Sequence, residues 1–205
     1  MELNRAGKLI KLAVICILAA LMNILFTVFF RDFLGLPLYI DTVFNAAVAF
    51  AAGLIPGIAV AVLGWLIPAI YWKSINFYVL CSIAEVLLVC ALKPAAPEVP
   101  KFAPKEKIIA SYTSLAAKLT LLYIVCAVTI SVLGGIINYI SDVFLEMPSV
   151  VYNIEDTFKL GLIMNNLPAL AVNILSRIQV NIVDRFIVIF GGYFISRGLV
   201  RLFGT

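Results

Sequence analysis

Long apolar runs recur along this chain, and water cannot be the solvent around all of them. The run that poses the sharpest problem is RIQVNIVDRFIVIFGGYFISRG, from Arg177 to Gly198. It has the length of a membrane span, and no residue from Phe186 to Ile195 is charged. Its first half nevertheless carries Asn181, Asp184 and Arg185. An acid and a base in such a run must be placed against something other than hydrocarbon.

The whole chain shares this character. Of its 205 residues, 64% are hydrophobic and 13% charged, with a mean hydropathy of +1.13. Soluble domains lie near 45–50% apolar and about 25% charged. The reading is a polytopic, all-α membrane bundle. At about 20 residues per span plus loops, the length accommodates about six transmembrane helices and no separate soluble domain. The chain has no histidine, which excludes His-based metal sites, His general bases and Ser-His-Asp triads. Cys16, Cys81, Cys90 and Cys126 each sit inside an apolar run without metal-ligand spacing, and read as reduced small hydrophobes. The basic N-terminus followed by an apolar run lacks a clean cleavage site and reads as an uncleaved first span.

Hydropathy places the spans at about 9–30, 40–52, 58–71, 75–92, 108–140 and 169–199 of a single integral-membrane domain covering 1–205. GLIPG is a tight connection between the second and third, with a broken helix or re-entrant pair as the competing reading. The Pro/Lys segment 93–107 is an aqueous loop, and 141–168 is an external loop with room for a short capping helix. Lysine and arginine sort by side. Arg5, Lys8, Lys11, Lys93, Lys101, Lys105, Lys107, Arg197 and Arg201 share one side, against Arg31, Lys73, Lys159 and Arg177 on the other. Positive-inside then puts both termini in the cytoplasm. The acids Asp32, Asp142, Glu146, Glu155 and Asp156 fall outside, against Glu2, Glu98 and Glu106 inside.

In that orientation the polar half of the last span is its outer half. Arg177, Asn181 and Asp184 share one helical face, and Arg185 is four residues from Asn181. A charge held mid-membrane costs roughly 2.5–3.5 kcal/mol on insertion scales, so these groups face the bundle interior or a cavity. Two readings stand: a buried network that fixes packing, or the polar wall of an outward-opening ligand cavity. Asp41, Thr42 and Asn45 at the start of the second span, Asn76 and Tyr78 at the fourth, and Asn138 and Tyr139 at the end of the fifth lie at similar depth. Tyr39 and Trp72 also sit there, and the tyrosines singly fit an interface belt. Glu85 is near mid-bilayer, either as a partner of Arg185 or Lys118 or as a ligand or proton contact. Ala13, Cys16 and Ala20 in the first span and Ala47 and Ala51 in the second are small residues at helical spacing, suited to close packing within the chain or to docking a partner. No Walker motif, HExxH, GxSxG or nucleophile–base constellation is present, so the chain reads as a non-enzymatic protein without metal or cofactor.

Two segments carry a family likeness. PLYIDTVFNAAVAFAAGLIPGIAVAVLG, Pro37 to Gly64, resembles the second and third spans of substrate-binding S components of energy-coupling factor (ECF) vitamin transporters. RIQVNIVDRFIVIFGGYFISRGL, Arg177 to Leu199, resembles their final span. The module is also similar to vitamin-uptake-like membrane sensor domains. The resemblance implies a compact bundle in the plasma membrane that captures a micronutrient from outside. It further implies docking on a transmembrane coupling protein driven by two cytoplasmic ATPases, with no nucleic-acid partner. The family docks through an Ala-x-x-x-Ala motif in the first span, where this chain has Cys16-x-x-x-Ala20. Carried onto these positions, the ligand site comprises Asp41, Asn76, Glu85, Asn138, Arg177, Asn181, Asp184 and Arg185, with 141–168 as lid. Paired acid and base groups with aromatics suit a small polar ring or zwitterion. A sensing module and a stand-alone secondary transporter are the alternatives.

Overall fold

The computed structural model describes residues 5–35, 40–71, 73, 76–95, 104–144 and 154–203. Every regular element among them is helical. The order is α1 (Arg5–Thr27), α2 (Val43–Ala52), α3 (Leu54–Tyr71), α4 (Val79–Leu92), α5 (Lys105–Phe144), α6 (Ile154–Met164), α7 (Ala169–Phe186) and α8 (Gly192–Phe203). A π-helical turn, Val28–Phe33, extends α1, a 3-10 turn, Ile40–Thr42, leads into α2, and a second π turn, Ile187–Gly191, joins α7 to α8 without a break.

Four helical stretches are long and apolar enough to cross a membrane: Ala6–Phe30, Leu54–Tyr71, Lys105–Val143 and Ala169–Arg201. Two further apolar helices, Ile40–Ala52 and Val79–Leu92, are shorter. At ~1.5 Å per residue, the 14 residues of α4 cover ~21 Å of a hydrocarbon core ~30 Å thick. The 40 residues of α5 cover ~60 Å by the same rise.

Small residues decide how closely these helices pack. α2 is the innermost helix, with Ala46, Ala47, Val48 and Ala49 wholly buried. Without a hydrophobic drive between helices in lipid, close backbone approach and dispersion must hold them. Gly192 of α8 lies against α2 so tightly that a Cβ there would sit 2.9 Å from the Ala46 methyl and 3.2 Å from the Val43 carbonyl. A Cβ on Gly57 of α3 would meet the Ala49 and Val86 side chains at 2.9 Å. The closest crossing is α5 on α7, where a Cβ on Gly135 would stand 2.6 Å from the Ile174 Cα.

The GLIPG segment is a hairpin between two helices. Gly53 takes φ +93°, a conformation open to glycine, and ends α2. The third helix begins at Leu54, four residues before the sequence edge at 58. Pro56 falls within its first turn, where a missing N–H leaves no bond unmade. The fourth begins at Val79 rather than 75, and the fifth is longer at both ends than 108–140. α6 lies inside the loop 141–168, while 145–153 falls outside the described residues, as do Tyr39, Trp72 and the middle of the Pro/Lys segment.

The small residues of α1 and α2 serve this packing. Cys16, Ala19 and Ala20 of α1 are buried against Val48 of α2 and Val60 of α3, with Leu199 of α8 alongside. Cys16, Ala20 and Ala47 are buried in the chain's own packing, the first of the two readings of these small residues. Ala51 is half-buried and Ala13 exposed.

Gly135→Val should cost at least ~2 kcal/mol in thermal or denaturant unfolding of the reconstituted protein, because neither backbone at the α5–α7 crossing can yield. Gly161→Ala, with no atom within 4 Å of the added methyl, should stay within ~0.5 kcal/mol of wild type. Equal stability of the two variants would refute the close crossing.

Candidate functional site

Three polar ties cross the bundle, at different levels. The first joins α1 to α2. The N–H groups of the first helical turn have no partner within their own helix, and Thr42 makes no side-chain cap bond at the start of α2. Asn23 of α1 supplies the missing acceptor: the Phe44 N–H donates to its Oδ1 at 3.0 Å, and its Nδ2 donates to Asn45 Oδ1 at 2.9 Å. Both asparagines are buried. An amide on one helix thus caps another.

The second tie is ionic and fully enclosed. Arg185, at the end of α7, donates through Nη1 to Glu85 Oε2 on α4 and, at 3.0 Å, to Thr42 Oγ1 at the start of α2. The Thr42 hydroxyl donates in turn to Glu85 Oε2 at 3.3 Å. Glu85 is 0% and Arg185 3% exposed. Asp41 lies near enough to act electrostatically on the guanidinium. Three helices are held by one charge-assisted knot. A lone ion in so apolar a place would cost several kcal/mol, so each member needs the others. The Glu85 partner is Arg185; Lys118 is exposed on α5.

The third tie lies two turns nearer the end of the bundle where α4 and α7 begin. Arg177 stands over the Tyr78 ring, its Cζ 4.7 Å from the centroid. Its Nη2 donates to the Tyr78 hydroxyl at 2.6 Å, and that hydroxyl donates to Asn138 Oδ1 of α5. Gly134 on α5 leaves room for the arginine, since a Cβ there would meet its Cδ at 3.2 Å. Tyr78 and Glu85 are seven residues apart on α4, and Arg177 and Arg185 are eight apart on α7. The two helices therefore run in the same direction, linked twice by long side chains. Between these levels, Asn181 donates to Ser131 Oγ of α5 at 3.0 Å, and Ser131 donates to the Ala127 carbonyl at 2.7 Å.

This geometry sorts the residues expected at a ligand site. Asn181, Asp184, Arg185 and Glu85 are buried, and the bonds of Asn181, Arg185 and Glu85 run to neighbouring helices. All four pack in the interior of the bundle. Asp41 is half-buried beside Arg185. Asn76 is exposed and shapes the entry to α4: its Oδ1 accepts the Tyr78 N–H at 3.1 Å, and its carbonyl accepts Trp65 Nε1 at 2.9 Å. Asn138 and Arg177 are brought together, with Tyr78 between them. Two further residues, Asn23 and Asn173, take part in the polar architecture without having been singled out in the sequence. Asn173 is four residues before Arg177, which places it on the same face.

A groove of about 320 Å³ lies elsewhere, between α5 and α7, lined by Ile124, Ala127, Val128, Val132, Ile178 and Ile182. Its walls are apolar, with Ile124, Val128, Val132, Ile178 and Ile182 exposed on the bundle surface and Ala127 buried, and Ser131 joins it to the network at Asn181. Among the described residues no group of three or more His, Cys, Asp or Glu could hold a metal ion.

No protein-family model matches the chain, and no characterised protein or solved structure matches it.

Removing one member of the buried knot should be far worse than removing both. Arg185→Met is expected to cost about 3–5 kcal/mol, and Arg185→Met with Glu85→Leu to recover most of it. A double-mutant cycle by unfolding in detergent micelles measures this. Additive losses would mean the two side chains are not partners.

Proposed function

We propose that the chain is a membrane-embedded substrate-capture subunit of a micronutrient importer, with its ligand site at the outer polar level. The observation that carries this reading is the convergence of α4, α5 and α7 at one depth: Tyr78, Asn138 and Arg177 meet around a single hydroxyl. A site of that kind offers a cation, an aromatic face and amide groups to one small polar molecule. The deeper Glu85–Arg185–Thr42 knot then acts as its floor, holding α2, α4 and α7 in fixed relation.

The likeness of Pro37–Gly64 and Arg177–Leu199 to ECF S components supports the same reading. So does the sorting of lysine and arginine, which sets the α4 and α7 starts outside the cell and both termini in the cytoplasm of a six-span plasma-membrane protein. Without a nucleotide-binding motif, the energy for transport comes from partners: a transmembrane coupling protein and cytoplasmic ATPases. Docking of that module uses a surface other than Cys16, Ala20 and Ala47, which are buried.

Native mass spectrometry of the purified chain tests capture directly. A retained small molecule is expected, lost in Arg177→Ala, while Asn181→Ala leaves it in place. Uptake by the isolated chain in liposomes should be absent and should appear only with an ATP-driven partner. A chain that retains nothing and binds no vitamin applied from outside contradicts capture. Ion-driven uptake by the chain alone would point to a secondary transporter, and co-isolation with a kinase instead of ATPases to a sensor.

A further inference from the structure

The end of the bundle opposite the Arg177 level is basic by a margin that pairing within the chain cannot close. Leu12 of α1, Ala52 of α2 and Leu199 of α8 pack on one cluster there, and Cys90 near the end of α4 lies 3.9 Å from the Ala49 carbonyl. α5 runs antiparallel to α7, with Ser131 beside Asn181 and Gly135 beside Ile174, so its first turns are level with the end of α8. By sequence this side holds nine bases against three acids, Glu2, Glu98 and Glu106, so pairing every acid leaves six bases over. Glu106 is itself flanked by Lys105 and Lys107.

α8 gives part of that charge a shape. Its inner face, with Gly192, Tyr193 and Ser196 buried, packs against α2 through Gly192. Phe194, Arg197, Gly198 and Arg201 are exposed and, at spacings of three and four, form one stripe on the outer face. Phe194 is 70% exposed. In a bilayer such a ring lies among acyl chains, and arginines one and two turns nearer the helix end lie where lipid phosphates do. Gly198 leaves the helix bare between them, since an added Cβ would meet no atom within 4 Å. Glycine is a poorer helix former than alanine. Gly57, Gly135 and Gly192 each make room for a neighbouring helix, whereas Gly198 makes room on the outer surface.

We propose that this stripe binds one anionic phospholipid, its phosphodiester held by Arg197 and Arg201 over Gly198 and its acyl chains lying along Phe194. The surplus of bases selects an anion, and the exposed ring beside them selects one that carries hydrocarbon. The planar guanidinium fork suits a phosphate, and the cytoplasmic leaflet, where positive-inside sets this end, is the anionic one. The site requires the chain to sit in a bilayer and is independent of capture at the Arg177 level.

Titration of the detergent-purified wild-type chain, with bound molecules counted by native mass spectrometry, tests it. The probes are dioleoylphosphatidylglycerol, dioleoylphosphatidylcholine and glycerol 3-phosphate. The anionic lipid should bind about ten-fold or more tighter than the zwitterionic one, and glycerol 3-phosphate, which lacks the acyl chains, should not displace it. Arg197→Gln with Arg201→Gln should remove most of that preference. Lys105→Gln with Lys107→Gln, an equal loss of charge at the same end, should keep it. Gly198→Leu retains both charges and should weaken binding by filling the gap. Equal affinity for the two lipids, equal loss in the two double variants, displacement by glycerol 3-phosphate, or an unaffected Gly198→Leu overturns the inference. The substituted residues are exposed, and the comparison of lipids on the wild-type chain needs no variant. Retention of a small molecule that Arg177→Ala abolishes is read separately, so failure here leaves capture standing and failure of capture leaves this site standing.

Discussion

The contact between Arg185 and Glu85 is the constraint around which the rest of the structure is arranged. Two ions face each other buried from solvent, and each is tolerated because the other is there. Thr42 adds a hydroxyl at the start of α2, so the knot fixes three helices whose contributing residues are 43, 100 and 143 apart in sequence. The short helices depend on it most. α2 and α4 are too short to be positioned by spanning the bilayer, and the knot and the Asn23 cap set their height instead. Once α2 stands at that height, its alanines meet Gly192 and Gly57, and the close crossings follow.

Polarity in the bundle is therefore divided by task as well as by depth. Near the middle, Arg185, Glu85, Thr42, Asn181 and Ser131 bond to one another across the helices and close the interior. Toward the end where α4 and α7 begin, Tyr78, Asn138 and Arg177 form a more open group that is half-buried in part. Dispersion against small residues holds the helices together elsewhere. The π turn after Arg185 belongs to this scheme: it begins where the knot holds α7 and ends where Gly191 and Gly192 carry α8 along α2. The extra residue in that turn lets both demands be met by one continuous helix.

Much of this could be read from the residues themselves. Hydropathy alone found helices at every apolar segment, and the cost of charge in lipid required partners for Asp184, Arg185 and Glu85. Gly53 was legible as a break because its glycine sits between an alanine-rich run and a proline. The identity of the Glu85 partner was not, since Arg185 and Lys118 both lay at plausible depth and a side-chain contact across helices leaves no local pattern. The alanine and cysteine pairs read equally as inner packing or outer docking, because small residues permit either. Only burial separates the two, and it assigns Cys16, Ala20 and Ala47 to the interior. Asn23 passed as an ordinary polar residue of the first span, because a cap donated from another helix is invisible without the fold. Asn173 carried one faint signal, its four-residue spacing from Arg177.

A density map of the wild-type protein in a lipid nanodisc, together with whatever molecule it retains, decides between a site above the knot and a site within it. The expected result is density touching Arg177 and Tyr78 level with Asn138, over a closed Glu85–Arg185 pair. Density inserted between Glu85 and Arg185, or confined to the apolar groove of α5 and α7, would contradict the division between a structural interior and a receptive outer level.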